Sequence, residues 1–368
     1  MLSFNEIFVD STKYCTKIKT DEYHETGKNI IVDQGQNEIA GYTDLEEGLF
    51  SNVPAIIFGD HTRIIKYVDK PFFIGADGVK VLKSKYEKTN YKYLYYALKN
   101  VKIPNTGYNR HFKWLKEAKI NYPEISKQQK IAATLDKLQS IITHRRTQLE
   151  KLDLLVKARF VEMFGDPVHN TFQLPTMPMT NICEIIDGDR GKNYPKQEEF
   201  FSKEYCLFLN AKNVTKHGFN FSECSFITKE KDTILRKGKL QRGDVVLTTR
   251  GTLGNLAFYT KDIPFENIRI NSGMVILRMN RKVINETFFI EQFRMQVDDI
   301  KQSIASGSAQ PQLPISTMNK INIIISELEL QTQFADFVKQ VDKSKVAVQK
   351  ELDKAQMLFD SLMQEYFG

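Results

Sequence analysis

Residues 326–368 align without a gap on residues 123–165, an offset of 203 positions in a chain of 368. The alignment sets Glu124 against Glu327, Gln128 against Gln331, Ala132 against Ala335, Leu149 against Leu352 and Lys151 against Lys354. It continues through Leu155 and Leu358 and ends with Glu162, Phe164 and Gly165 against Glu365, Phe367 and Gly368. Self-similarity at about half the length of a chain is the mark of duplication. Whatever one half does, the other is expected to do on a second, similar target.

The repeated stretch reads as a long helix. In the first copy Ile131, Leu135, Leu138, Ile142, Arg145, Leu149, Leu152 and Val156 recur at alternating spacings of four and three, the seam of a coiled-coil face. The same register in the second copy gives Phe334, Val338, Val341, Lys345, Val348, Leu352, Ala355 and Phe359. Each seam is apolar except for one basic residue, Arg145 or Lys345, expected either to snorkel to solvent or to pair with an acidic residue such as Asp342. Ser126-x-x-Gln129 fits a capping box opening the first helix, Gly165 followed by Pro167 fits its stop, and Ser326-x-x-Glu329 offers the second helix the same box. Helices of about 40 residues are ~60 Å long. Such stripes also describe ordinary core helices, but here each follows a globular segment, so the two read as struts that bury their stripes against each other.

A chain of this length, 41% apolar and 26% charged, can bury two substantial cores as a soluble protein. No run approaches the ~20 apolar residues of a membrane span. Met1-Leu2-Ser3-Phe4-Asn5-Glu6 has no basic or apolar leader character. Cys15, Cys183, Cys206 and Cys224 include no C-x-x-C pair, so neither a disulfide framework nor a metal site is expected, and the expected compartment is the cytoplasm. A net charge of +7 and a pI near 8.9 permit a polyanionic partner without demanding one.

The globular segments, 1–122 and 166–325, share weaker landmarks. Ala55–Phe58, the turn Gly59–Arg63 and Ile64–Val68 read as strand, turn, strand, matched by Asp244–Thr248, Thr249–Gly254 and Asn255–Tyr259. Asp77–Leu82 matches Ser272–Leu277, and short helices follow with Leu94 and Leu98 in one and Phe289 and Phe293 in the other. A polar glycine-bearing loop closes each series, Thr106–His111 and Ser306–Gln312.

Gly59-Asp60-His61-Thr62-Arg63, Ile39-Ala40-Gly41-Tyr42 upstream of it, Gly107-Tyr108-x-Arg110-His111 and the helix start from Pro123 through Gln129 to Ala132 resemble the specificity (S) subunit of Type I restriction-modification systems. The resemblance covers the whole chain. It implies an α+β fold in which two mixed strand-rich target-recognition domains, 1–122 and 166–325, are separated by two long antiparallel coiled-coil-like helices. The helical regions are a central spacer at 123–165 and a C-terminal spacer at 326–368, and the whole is a pseudo-twofold tandem repeat. The resemblance implies further that each domain reads one half of a bipartite site on double-stranded DNA. The helices would set the unread spacer and dock two methyltransferase (M) subunits, with restriction/translocase (R) subunits joining through the complex. The second helix starts with Ser326 where the family often has proline, and the first domain is shorter than the second, mostly near its start.

Base reading needs side chains with paired donors and acceptors offered from loops or a helix end, because each base pair shows its own pattern in the major groove. Arg63, Asn109, Arg110, His111 and Lys113 in the first domain supply that chemistry, as do Arg190, Lys192, Lys212, Asn213, Arg250, Gln310 and Gln312 in the second. The plainer reading of each is a solvated loop residue or a phosphate contact, since half or more of protein–DNA hydrogen bonds go to the backbone. Asp60 and His61 have as strong a claim to closing their turn as to touching DNA.

No G-x-x-x-x-G-K-[ST] loop, Asn/Asp-Pro-Pro-aromatic tetrapeptide or glycine-rich methyl-donor loop is present, so neither a motor nor a methyltransferase is expected. Glu117-Ala118-Lys119 and Arg250-Gly251-Thr252-Leu253-Gly254 are too short to mark a nuclease site or a phosphate cradle. No active site, cofactor or metal is expected. The leading expectation is a non-catalytic DNA-recognition subunit that directs separate enzymes. A free-standing bivalent DNA-binding regulator would instead bind its site tightly alone, and a self-contained modification enzyme would transfer methyl groups alone.

Overall fold

The computed structural model describes residues 1–75, 77–305 and 312–368. They form two compact units, one of Met1–Thr147 with Gln349–Gly368, the other of Gln148–Val348.

In the first unit Leu2–Ser3 pairs antiparallel with Lys119–Ile120, and a helical turn, Phe4–Ile7, leads into the main sheet. That sheet is antiparallel, in the order Phe8–Asp10, Val79–Ser84, Ala55–Gly59, Ile65–Val68. Ala55–Gly59 is buried along its whole length, which is why it reads as a continuous apolar run and not as an alternation. A second sheet sets Asn29–Val32 between Gly41–Thr43, antiparallel, and Phe72–Ile74, parallel. Val32, Phe50, Ile57, Phe72 and Val81 fill a core drawn from both sheets. The helix Tyr91–Lys99 is capped by Asn90, whose Oδ1 accepts from the Tyr93 N–H at 2.9 Å.

The second unit repeats this plan. Thr176–Pro178 pairs with Asn322–Ile324, and the turn Met179–Ile182 follows. The main sheet runs Cys183–Asp187, Met274–Met279, Val245–Thr248, Leu256–Phe258. The smaller sheet sets Cys206–Leu209 between Phe226–Ile227, antiparallel, and Ile268–Ile270, parallel. Strand order and strand sense are the same in both units, so the duplication extends from the helices to the sheets. The extra length of the second unit includes the hairpin Val214–Thr215 with Gly218–Phe219 and the helix Lys229–Ile234. Asp232 on that helix is buried between the Arg269 guanidinium and the Lys239 ammonium.

The two long helices are Ile125–Phe164 and Leu328–Phe367, 40 residues each. Each unit holds one end of each. In the first unit Ile131, Leu135, Leu138 and Ile142 are buried, as are Leu352, Ala355 and Phe359. Arg146 there donates to Gln356 Oε1 at 3.3 Å, and the Phe359 ring lies 6.0 Å from that of Tyr96. In the second unit Val156, Phe160 and Phe164 share a core with Phe334, Val338 and Val341. Phe160 meets Phe334 edge-on at 5.3 Å, while Asp153, earlier on its helix, meets Lys345, later on the other, at 2.8 Å. The helices are therefore antiparallel in that unit. Val348 is buried, and Leu149 and Leu152 are half-buried. Lys345 takes Asp153 as its partner on the opposite helix; Asp342, 3.4 Å away, is on its own helix one turn earlier.

The expected capping boxes are absent. The Glu124 carbonyl accepts from the Lys127 and Gln128 N–H groups at 3.0 and 3.1 Å, and the Ser126 hydroxyl, already inside the first turn, donates to the Glu124 carboxylate at 2.7 Å. The second helix begins at Leu328 with Gln331 N–H on the Glu327 carbonyl at 3.1 Å, leaving Ser326 outside it. Gly165 does end the first helix, in the left-handed conformation at φ 77°.

Candidate nucleic-acid interface

In the first unit the glycine-bearing loop is stitched to the hairpin turn through Asp60. The Asp60 N–H donates to the Gly78 carbonyl at 2.7 Å, the His111 N–H donates to the Asp60 carbonyl at 2.8 Å, and the Phe112 N–H donates to Asp60 Oδ1 at 2.7 Å. His111 belongs to this stitch. Its ring is fully buried, with Nδ1 3.0 Å from the Asp60 carbonyl, so the structure places it in the framework beneath the loop and not on the exposed surface expected from its chemistry.

Asn109 is exposed, but its side-chain amide donates back to the Thr106 carbonyl and its N–H to the Gly107 carbonyl at 2.9 Å. Those donors shape the loop. Arg63 is half-buried at a left-handed φ of 63°, and its Nη1 donates to the Ile103 carbonyl at 3.3 Å. That bond commits part of its guanidinium to holding the segment before the loop. Arg110 and Lys113 are exposed, Lys113 over the Trp114 ring at 4.2 Å. An ion pair with Lys17 at 2.7 Å holds the Asp77 carboxyl below its ordinary value, with smaller contributions from Arg110 and His61.

The second unit has the same stitch in different residues. The Thr249 N–H donates to the Gly273 carbonyl at 2.8 Å and the Leu313 N–H donates to the Thr249 carbonyl at 3.1 Å. Around it Arg190, Arg250 and Gln312, from three separate stretches, line one cleft of about 230 Å³ with Asp187 and Thr249. Arg190 is steadied there by Asp187 Oδ1 at 3.1 Å and the Ser272 carbonyl at 3.2 Å. A wider cleft of about 570 Å³ is lined by Lys212, Lys216, Thr252, Asn255 and Lys301. Lys212 pairs with Glu223 at 2.8 Å, and this bond raises the lysine pKa and lowers that of the glutamate. Lys192 is exposed. Gln310 lies outside the described residues.

Asn213 is buried and is a second correction. Its Oδ1 accepts from the Asn210 N–H at 2.9 Å, and its amide donates to the Asn220 and Glu223 carbonyls at 3.0 and 2.8 Å. It clamps the additional hairpin, with both amide protons spent on backbone carbonyls.

A guanidinium and a carboxamide at the rim of one cleft offer the bidentate donors that suit guanine and the paired donor and acceptor that suit adenine. Among the described residues no cluster of His, Cys, Asp and Glu could hold a metal, and no helix is long and apolar enough to cross a membrane. Lys216 and Lys301 were missed in the sequence because nothing near them announces a shared cleft.

The structure defines a tandem-duplicate α+β protein whose two units share the ends of two long antiparallel helices, each unit with a basic loop surface at the same stitched turn. The pattern of the Type I restriction modification DNA specificity domain matches residues 5–152 and 175–355, and the chain belongs to that family. It is 38% identical over 90 residues to the Type I restriction enzyme EcoR124I/EcoR124II specificity subunit of Escherichia coli, covering 24% of this chain and 22% of that protein. It is 24% identical over 265 residues to the Type I restriction enzyme MjaIX specificity subunit of Methanocaldococcus jannaschii, covering 68% of this chain and 60% of that one. The aligned residues thus span less than two thirds of either curated relative. The S subunit of a Type I restriction-modification system from M. genitalium superposes with a TM-score of 0.64 at 19% identity, covering 100% of this chain and 95% of that chain. A chain from a structural study of complex assembly and conformational transition of the type I R-M system gives 0.54 at 14% identity, with coverages of 100% and 95%. At such identities these two likenesses establish the fold.

Proposed function

We propose that this chain is the non-catalytic DNA-sequence-recognition subunit of a Type I restriction-modification enzyme. Each unit reads one half of a bipartite site on double-stranded DNA, and the two helices set the unread spacer and dock two methyltransferase subunits. Methyl transfer belongs to those subunits and cleavage to restriction/translocase subunits that join the complex, all acting on the chromosome in the cytoplasm. The observation that carries this reading is the repeated stitch, Asp60 with His111 and Thr249 with Leu313, which presents a basic loop surface at the same place in each unit.

Elementary dimensions agree with it. Half-sites read from one face of B-DNA lie ~34–36 Å apart. Continuous helices ~60 Å long can span that distance, and adding or removing a turn would move the span by ~5.4 Å. Spacer length is then a property of the helices alone.

The test is to co-express the chain with its methyltransferase and map methylated adenines in the host chromosome. A split motif with a constant gap, lost when this chain is omitted, is expected. An uninterrupted motif, or methylation indifferent to this chain, would overturn the reading.

A further inference from the structure

Tyr108 is the most exposed large apolar side chain among the described residues, at 86%. An aromatic ring left in water forgoes the burial that makes such residues dominate cores and interfaces. It is also held in place. Its ring stacks on His61, with centroids 4.6 Å apart and planes 8° from parallel. The His61 backbone N–H donates to Gln34 Oε1 at 3.2 Å, and its ring is held by packing, lying so close to Gly78 that a Cβ there would come within 2.6 Å of Cδ2.

The loop that carries Tyr108 is closed by its own bonds. Gly107 takes a left-handed φ of 78° and donates to Asn105 Oδ1 at 3.2 Å, while Asn109 bonds back to Thr106 and Gly107. Arg110 follows two residues later. A stacked ring with one face covered and the other exposed, two residues from the exposed Arg110, matches the chemistry of nucleic-acid contact, where unstacked bases stack on aromatic faces and cations meet phosphates.

We infer that Tyr108 is a DNA-contacting residue of the first unit, its open face meeting a base that is partially unstacked at a step of that unit's duplex half-site, and that His61 is the positioning residue that holds the ring. This rests on the DNA-recognition reading above and adds to it a contact that is apolar and not ionic.

The experiment uses the full chain assembled with its methyltransferase subunits. Duplexes carry the mapped site intact, or with one half or the other scrambled, and affinity is measured across a range of salt. Tyr108→Ala is expected to weaken binding roughly tenfold to hundredfold on the intact site, the range for loss of one base–aromatic stack. The loss should vanish when one particular half is scrambled. The salt slope should stay as in the unmodified complex, because no phosphate contact is lost. Tyr108→Phe should bind as the unmodified complex does, and His61→Ala should lose part of what Tyr108→Ala loses. Unchanged affinity for Tyr108→Ala, an equal loss on every duplex, or a shallower salt slope would each overturn the inference. So would failure of Tyr108→Ala to assemble with the methyltransferase, which would mark a protein contact. If the unmodified complex shows no preference for its site, the DNA-recognition reading itself fails, and this inference with it.

Discussion

The buried side chain of Gln128 accepts from the Asn90 N–H at 3.0 Å and donates to the Pro123 carbonyl at 2.9 Å, so one residue ties the start of the central helix to the cap of the helix Tyr91–Lys99. Gln331 repeats the arrangement in the second unit. It accepts from the Asn285 N–H at 2.8 Å and donates to the Ser326 carbonyl at 2.8 Å and the Val283 carbonyl at 3.2 Å. These clamps do not supply the acceptors that the expected serine boxes would have offered to the first N–H groups; they fix where each helix starts through tertiary contact.

Replacing Gln128 by methionine keeps the volume and strands the N–H of half-buried Asn90 and the carbonyl of half-buried Pro123. Each unsatisfied group costs ~1–3 kcal/mol, so Gln128→Met, which strands two, should lose about 2–6 kcal/mol of stability in urea denaturation. A variant as stable as the unmodified chain would show that the clamp is incidental.

Glu291 lies in the second unit beside Arg294 at 2.5 Å, with Lys345 and Asp342 also acting on it. Burial pushes its carboxyl above the ordinary value of 4.5, against the pull of Arg294 and Lys345. A raised carboxylate pKa means that the folded state holds the proton longer than the unfolded one, so ionisation counts against folding as pH rises from the ordinary value through the raised one. Glu291→Gln should therefore be more stable than the unmodified chain at neutral pH, and the difference should shrink to nothing below pH 4.5. Denaturation midpoints measured from pH 4 to 8 would show it. A gap that widens toward acid would reverse the sign of the argument.

Much of this molecule was legible because its signals are local. The hairpin Ala55–Val68 announces itself by apolar runs around a polar turn, and the stripe from Ile131 to Val156 by spacing alone. What stayed hidden depends on partners far along the chain. Gln128 and Gln331 stood aligned in the repeat, yet their purpose is visible only once Asn90 and Asn285 are brought to them. The polar chemistry of His111 and Asn213 would suit DNA equally well, and only burial shows that it is spent on backbone carbonyls and N–H groups. Arg190, Arg250 and Gln312 were named separately, and their meeting at one cleft is a product of topology.

Arg250 and Gln312 should report on one half-site, and Arg110 on the other. Arg250→Ala or Gln312→Ala should weaken binding by ~1–3 kcal/mol wherever a base contact is lost, with relaxed specificity confined to one half of the site. Arg110→Ala should do the same at the opposite half. Equal weakening on all sequences with a shallower salt dependence would make any of them a phosphate contact.

Lys345 interrupts an otherwise apolar seam. Burial works against its charge, but the bonds to Asp153 and Asp342 outweigh that and hold its pKa above the ordinary lysine value of 10.5. The stability this contributes is fully present below that value and is lost only as pH rises through the higher, folded one, so none of it varies near neutrality. The pair is partly exposed, at 26% and 50%, and a pair so placed contributes at most ~1 kcal/mol. Lys345→Met extends the apolar stripe while Asp153 remains solvated, so its urea midpoint should move little or rise. A large loss of stability would mean that the ion pair, and not the stripe, holds this stretch together.

The strut reading is tested most directly at Leu138 and Val341, buried on the seam in the first and second unit respectively. Aspartate at either position removes an apolar side chain worth roughly 1.5–3 kcal/mol and places a carboxylate where it must be desolvated or protonated. The double variant Leu138→Asp, Val341→Asp should therefore lose more than about 4 kcal/mol and fail to carry methyltransferase through a sizing column. Val346, on the same helix as Val341 but 70% exposed, supplies the control. Val346→Asp should change stability by less than about 0.5 kcal/mol. If the seam variant folds and assembles normally, the buried stripes are not what joins the helices. If instead Val346→Asp folds normally yet loses methyltransferase, docking uses the outer face of the helix and the seam serves folding alone.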